Sequence, residues 1–142
     1  MATFQDLDLA PPLLAALAEV GYETPTAIQA RTIPPLLAGR DLIGQAQTGT
    51  GKTAAFALPI LQRLDPGAPK TQALVLTPTR ELCIQVTQAI RAYGEQRGIQ
   101  VVAVFGGAPI RGQTAQLKEG VLEIRAPKLL GNKEARRNVE VS

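Results

Sequence analysis

Apolar residues recur at helical spacing over residues 13–20, behind a polar lead that carries Phe4 and Leu7 and closes on Pro11-Pro12. That period predicts a helix, with Gly21 placed to cap it. Thr24-Pro25 reads as the N-cap and first position of a second helix, running to Ala30 with Ile28 inward. Pro34-Pro35 is expected to interrupt it, and residues 36–39 make a further turn. A short apolar run at 41–44 predicts the first strand. A Gly-rich turn at 46–53 follows, and 54–58 reads as helix until Pro59 kinks or restarts it. Residues 65–69, Asp-Pro-Gly-Ala-Pro, form a surface turn.

The second half alternates in the same way. Residues 73–76 form an uninterrupted apolar run, the pattern of a strand covered on both faces. Thr77-Pro78-Thr79 leads into a helix to about Tyr93, with Leu82, Val86, Ala89 and Ile90 expected inward. Residues 101–105 are a further buried strand, Gly106-Gly107 turns the chain, and 113–117 is a short helix. Residues 121–124 are a candidate fourth strand. Strands alternating with helices imply a doubly wound α/β domain with a parallel sheet and right-handed crossovers. From residue 125 the chain turns polar with little apolar period, so the expected division is a domain over 1–124 and a poorly ordered tail over 125–142.

Composition narrows the class without naming a chemistry. The chain has 142 residues, enough for one domain with a core of its own. A net charge of +3 permits a polyanionic partner without demanding one. No run reaches the roughly 18 apolar residues of a membrane span, and the start lacks a secretory pattern. One cysteine excludes an internal disulfide, and the absence of histidine speaks against zinc. A reducing, cytoplasmic setting is expected.

The candidate chemistry lies in Ala46-Gln47-Thr48-Gly49-Thr50-Gly51-Lys52-Thr53. Strand, Gly-rich turn and helix in succession are the context of a phosphate-binding loop. Gly49 and Gly51 accept positive φ and let successive N–H groups converge on an anion at the helix N-terminus. Lys52 would reach the outer phosphates and the Thr53 hydroxyl would hold Mg²⁺. The generic pattern opens with Gly, where this chain has Ala46.

Four stretches in order resemble the amino-terminal part of a DEAD-box ATP-dependent RNA helicase. Residues 21–29, Gly-Tyr-Glu-Thr-Pro-Thr-Ala-Ile-Gln, resemble its Q motif, with Phe4 at the place of the isolated upstream aromatic. Residues 46–53 resemble motif I, Ala46 included. Pro78-Thr79-Arg80-Glu81-Leu82 resembles motif Ia, and Gly106-Gly107 with Gln113 resembles the GG segment. The resemblance covers residues 4 to about 120 and implies a RecA-like domain. It implies ATP and Mg²⁺ as cofactors, with Gln47, Thr48, Gly49, Thr50, Gly51, Lys52 and Thr53 around the phosphates and Lys52 and Thr53 in the catalytic centre. It also implies adenine read by Gln29 and stacked on Phe4, and an RNA backbone held by Pro78, Thr79, Arg80 and Gly107. From the residues alone, the favoured reading is Gln29 as a solvated helix residue and Phe4 as a core anchor. Cys83, where the family usually has Ala, reads as a small buried hydrophobe.

Past the GG segment the resemblance stops. The family's Thr-Pro-Gly-Arg, Asp-Glu-Ala-Asp and Ser-Ala-Thr segments and its second RecA-like domain have no match, and no Asp follows Asp65. The expectation is therefore a helicase fragment, whether from truncation, frameshift, splicing or a broken gene. The resemblance implies that such a chain binds ATP with Mg²⁺ and an RNA backbone as part of a parent that unwinds or remodels RNA by ATP hydrolysis, with the chain alone inactive. The alternatives are a non-catalytic nucleotide- or RNA-binding fragment or a non-functional product. Losing the strand that ends in the acidic motif is expected to open a gap in the sheet beside residues 41–44.

Overall fold

In the computed structural model, which describes residues 2–117 and 122–126, the first apolar stripe is helix α1, Pro11–Glu19. Pro11 and Pro12 sit in its first turn, where a missing N–H costs nothing. Gly21 follows with φ +80°. Helix α2, Ala27–Leu37, begins two residues later than the Thr-Pro pair suggested. Its N-cap is Thr26, in a reciprocal capping box: Gln29 N–H donates to Thr26 Oγ1 (3.5 Å) and Thr26 N–H donates to Gln29 Oε1 (2.9 Å).

Pro34-Pro35 does not break α2. The two prolines forfeit bonds to the carbonyls four residues back, but Thr32 and Ile33 are buried just before them. Ala38 and Arg40 N–H groups take the Pro34 and Pro35 carbonyls at 3.0 Å, so the end stays satisfied. Helix α3, Lys52–Arg63, likewise runs through Pro59, which is buried beside Leu58 and Leu61. In both helices tertiary burial outweighs the local cost of proline.

The sheet has three parallel strands, β1 (Ala73–Leu76), β2 (Val101–Phe105) and β3 (Leu122–Ala126), in the order β1-β3-β2. The last strand in sequence lies in the middle, with Leu122 opposite Ala73 on one side and Val101 on the other. The candidate strand at 121–124 is thus a strand through Ala126, and a boundary after 124 would cut it. Residues 127–142, the rest of the expected tail, lie outside the described residues. Helix α4, Arg80–Gly94, packs on β2 and β3, and α5, Ile110–Leu117, follows the Gly106-Gly107 turn.

Two expectations about the sheet and one about a helix are corrected. Residues 41–44 are not a strand: they pair with no strand among the described residues, and Ile43 is 102% exposed. Backbone that has no ladder partner does not hold a strand. β1 is not covered on both faces, since Leu74 and Leu76 are 54% and 65% exposed. Leu82, expected inward, is 37% exposed and lies outside the core. The face of α4 that meets the core is Cys83, Val86, Thr87, Ile90 and Tyr93.

The core joins Leu13 and Leu17 of α1, Ile33 of α2, Leu58 and Leu61 of α3, Ile90 of α4 and Ile124 of β3, all fully buried. Cys83 is buried as well, its Sγ 3.6 Å from the Ile124 carbonyl oxygen. At one end Phe4, Tyr22 and Tyr93 form an aromatic column with successive centroids 6.2 Å apart.

Candidate functional site

Two short helical starts and one turn compose the site. The loop at 46–50 leads into α3, whose N-cap Gly51 has φ +79°, with Gly49 at +81°. Both values lie in the left-handed region open mainly to glycine. Ala46 is not among the positive-φ residues, so a methyl group is tolerated where the generic pattern has Gly. Thr50 Oγ1 donates to the Gln47 carbonyl at 2.7 Å, bracing the loop from within. Lys52 Nζ donates to the Ala46 carbonyl at 2.5 Å, so the ammonium spans the loop mouth. The free N–H groups and partial positive charge of a 12-residue helix stand behind this concavity.

α2 holds the same loop from the other side. Thr26 Oγ1 donates to the Thr50 carbonyl at 2.8 Å, and Gln29 Nε2 donates to the Gly51 carbonyl at 3.1 Å. A Cβ at Gly51 would fall 2.3 Å from Gln29 Nε2, so glycine is required there by contact as well as by φ. The loop is thereby fixed before any anion arrives, and the cost of ordering it is met in folding. Thr26 was missed in the sequence, although the Thr-x-x-Gln spacing of a capping box is legible at Thr26–Gln29.

Gln29 is fully buried, and its carboxamide keeps one N–H and one lone pair beyond the bonds to Gly51 and Thr26. Phe4 does not offer the open stacking face expected of it. It is 3% exposed, in the core, with its ring turned to Tyr22. An apolar residue with this much to bury stays inside when nothing on the surface repays its exposure.

The second cluster lies at the carboxyl ends of β1 and β2. Thr79 caps α4, its Oγ1 accepting from Leu82 N–H at 3.2 Å. Arg80, the first residue of α4, lies over the Phe105 ring with its guanidinium carbon 4.8 Å from the centroid. Gly107 has φ +87°, and a Cβ there would approach Arg80 Nη1 to 3.3 Å. The structure therefore brings Arg80 and Gly107 together, as it brings Gln29 to residues 50–53.

For magnesium, the only protein oxygen expected at the loop is the half-buried Thr53 hydroxyl. No cluster of three His, Cys, Asp or Glu residues occurs among the described residues. A single hydroxyl suits an ion carried mainly by nucleotide phosphates and water. Lys52 and Thr53 also line an open groove of about 580 Å³, otherwise largely apolar and bordered by Leu42, Phe56, Leu74, Leu76 and Leu82. No helix among the described residues is long and apolar enough to cross a membrane.

Residues 26–138 match the sequence profile of the DEAD/DEAH box helicase family. An "ATP-dependent RNA helicase DeaD" of Mycobacterium tuberculosis is 52% identical over 120 residues, which are 84% of this chain and 21% of that protein. The Escherichia coli K12 protein of the same name is 53% identical over 119 residues, 83% of this chain and 19% of that one. The chain thus spans about a fifth of the length of these curated relatives. A crystal structure of a DEAD box protein from the hyperthermophile Methanococcus jannaschii superposes with a TM-score of 0.84 at 35% identity. The superposition covers 88% of this chain and 34% of that one.

Proposed function

Since this chain belongs to the DEAD/DEAH box helicase family, we propose that it carries the ATP-binding loop and part of the RNA-backbone surface of an ATP-dependent RNA helicase. The fold is α/β and RecA-like, as its likeness to a solved DEAD box protein supports. Residues 47–53 take the phosphates, Lys52 by charge and the others mainly through N–H groups, and the Thr53 hydroxyl holds Mg²⁺. The magnesium ion, once bound, neutralises charge on the outer phosphates. One observation carries the assignment. α2 grips the Thr50 and Gly51 carbonyls through Thr26 and Gln29, fixing a loop with two positive-φ glycines at a helix start.

Gln29 reads adenine with its remaining N–H and lone pair, which complement N7 and the N6 amino group, once the groups covering it part on binding. Phe4 serves instead as a core anchor for this region. Arg80, Gly107 and the turn at 78–79 take RNA phosphates without regard to sequence. Strand separation coupled to ATP hydrolysis, in the cytoplasm and with a second RecA-like domain, is the setting we propose for these parts.

Hydrolysis requires a carboxylate that positions Mg²⁺ and water, and arginines that meet the developing charge. No Asp follows Asp65 in these 142 residues. The 142-residue polypeptide is therefore expected to bind nucleotide without turnover. Calorimetric titration tests the reading: ATP with Mg²⁺ binds better than GTP, Gln29→Ala narrows the gap, and Lys52→Ala removes both. Equal affinity for ATP and GTP overturns the role of Gln29. RNA-stimulated turnover that disappears in Lys52→Ala overturns the claim of binding without hydrolysis.

A further inference from the structure

The end of β2 is fastened by one side chain in a way that the RNA-backbone reading does not use. Gln113, on α5, accepts from Phe105 N–H through Oε1 at 3.0 Å. Its Nε2 donates to the Phe105 and Ala108 carbonyls, both at 3.2 Å. The carboxamide therefore treats Phe105 as a neighbouring strand would, taking its N–H and filling its carbonyl, while also closing the turn that contains Gly106 and Gly107. Phe105 itself is half-buried, and one face of its ring carries the Arg80 guanidinium. On another side the guanidinium meets Gly107, where even a methyl group would stand 3.3 Å from Nη1.

Arg80 is exposed, and no carboxylate pairs with it among the described residues. A long cationic side chain in that position ordinarily samples many rotamers and spends that freedom on binding. Here a ring and a glycine backbone restrict it without neutralising its charge. The planar guanidinium keeps its N–H fork for an anion, and its face is used for stacking. Resting on the reading that Arg80 contacts RNA, we propose that Phe105 and Gln113 are positioning residues. Gln113 sets the Phe105 ring and the Gly106-Gly107 turn, and the ring presents Arg80 to a backbone phosphate of single-stranded RNA.

The test is a double-mutant cycle on the 142-residue chain, read by fluorescence anisotropy with a labelled oligouridylate at low salt. Phe105→Leu is expected to weaken binding by about two- to thirtyfold, the range of a cation–π contact from exposed to desolvated. Phe105→Tyr keeps a ring face and is expected to retain native affinity, and Gln113→Ala to weaken binding in the same direction as Phe105→Leu. In an Arg80→Ala background, Phe105→Leu is expected to add nothing, since the two substitutions remove one device. A merely structural role for Phe105 would add its full factor there, and that result overturns the proposal.

NMR supplies the second reading. The Arg80 Nε–H resonance should carry a ring-current shift that Phe105→Leu abolishes, that Phe105→Tyr keeps and that Gln113→Ala moves, with the remaining spectrum reporting an intact fold. An Arg80 resonance indifferent to Phe105→Leu overturns the positioning claim while leaving the RNA contact standing. RNA affinity indifferent to Arg80→Ala, or no RNA binding by the native chain, overturns the RNA reading itself and the proposal with it.

Discussion

Gly51 and Gly49 separate two costs that are usually confounded at a phosphate loop. Both have positive φ, but a Cβ at Gly51 would lie 2.3 Å from Gln29 Nε2, while one at Gly49 has nothing within 4 Å. Gly49→Ala is therefore expected to cost only the conformational penalty, about 1–2 kcal/mol. Gly51→Ala must also displace the carboxamide that grips the loop, and is expected to cost more stability and at least tenfold in ATP affinity by calorimetry. Equal losses at the two positions would show that the Gln29 contact contributes nothing. A second residue-level prediction concerns Tyr93, whose hydroxyl is pushed above the ordinary tyrosine range by burial and by its hydrogen bond with Tyr22. Because the folded state holds this proton more tightly than the unfolded chain, the associated stability is complete below about pH 10, the ordinary tyrosine value, and drains away above it. The urea midpoint should fall with pH in that alkaline range, and less steeply in Tyr93→Phe. A parallel decline in both proteins would remove Tyr93 as the cause.

At the scale of elements, capping is where sequence signals and structure meet. Thr79→Ala removes the acceptor for Leu82 N–H at the start of α4 and is expected to cost about 0.5–2 kcal/mol in chemical denaturation. A loss below a few tenths would mean that the cap is replaced by water. That helix, β2 and the Gly-rich turn into α3 were legible because their local signals agree with their packing: a Thr ahead of an apolar stripe, five consecutive apolar residues, glycines where φ is positive. Pro34-Pro35 misled because the local cost of proline is visible in sequence, while the burial of Thr32 and Ile33 that offsets it is not. Residues 41–44 misled for the opposite reason. Their apolar run is a strand only where a neighbour completes the ladder. The candidate site divided similarly: the Gly-rich loop was proposed from its spacing and Arg80 from the family resemblance, whereas the Phe105–Arg80 stack and the Gln113 latch depend on chain reversals that no local pattern records. Phe4 was expected to offer a stacking face, but its ring is 3% exposed and turned toward Tyr22 in the core.

For the whole molecule the decisive feature is the outer edge of β1. In the order β1-β3-β2, β3 covers one side of β1, and no strand covers the other among the described residues. Leu74 and Leu76 present exposed side chains on the open face of this edge strand, and the nearby groove is lined by Leu42, Leu36 and Phe56. Natural sheets guard an open edge with lysine, proline, a bulge or a covering element. Ala73-Leu74-Val75-Leu76 has neither charge nor proline, and its backbone groups are a template for a second strand. A 142-residue chain with this edge is expected to self-associate, with β1 pairing to β1 of another copy. Leu74→Lys with Leu76→Lys places two like charges on each copy, so pairing would bring four together, and the variant is expected to be monomeric. Both positions are more than half exposed, so the substitutions should leave the melting temperature nearly unchanged. Lys52 and Thr53 line the same groove, so ATP with Mg²⁺ is expected to shift the native chain toward monomer and to leave the double-lysine variant unaffected. Sedimentation velocity over a range of concentrations measures all three states. A native chain that sediments as a monomer throughout, indistinguishable from the variant, would mean that residues beyond those described already cover the edge, or that its four residues are too short a template to hold a partner.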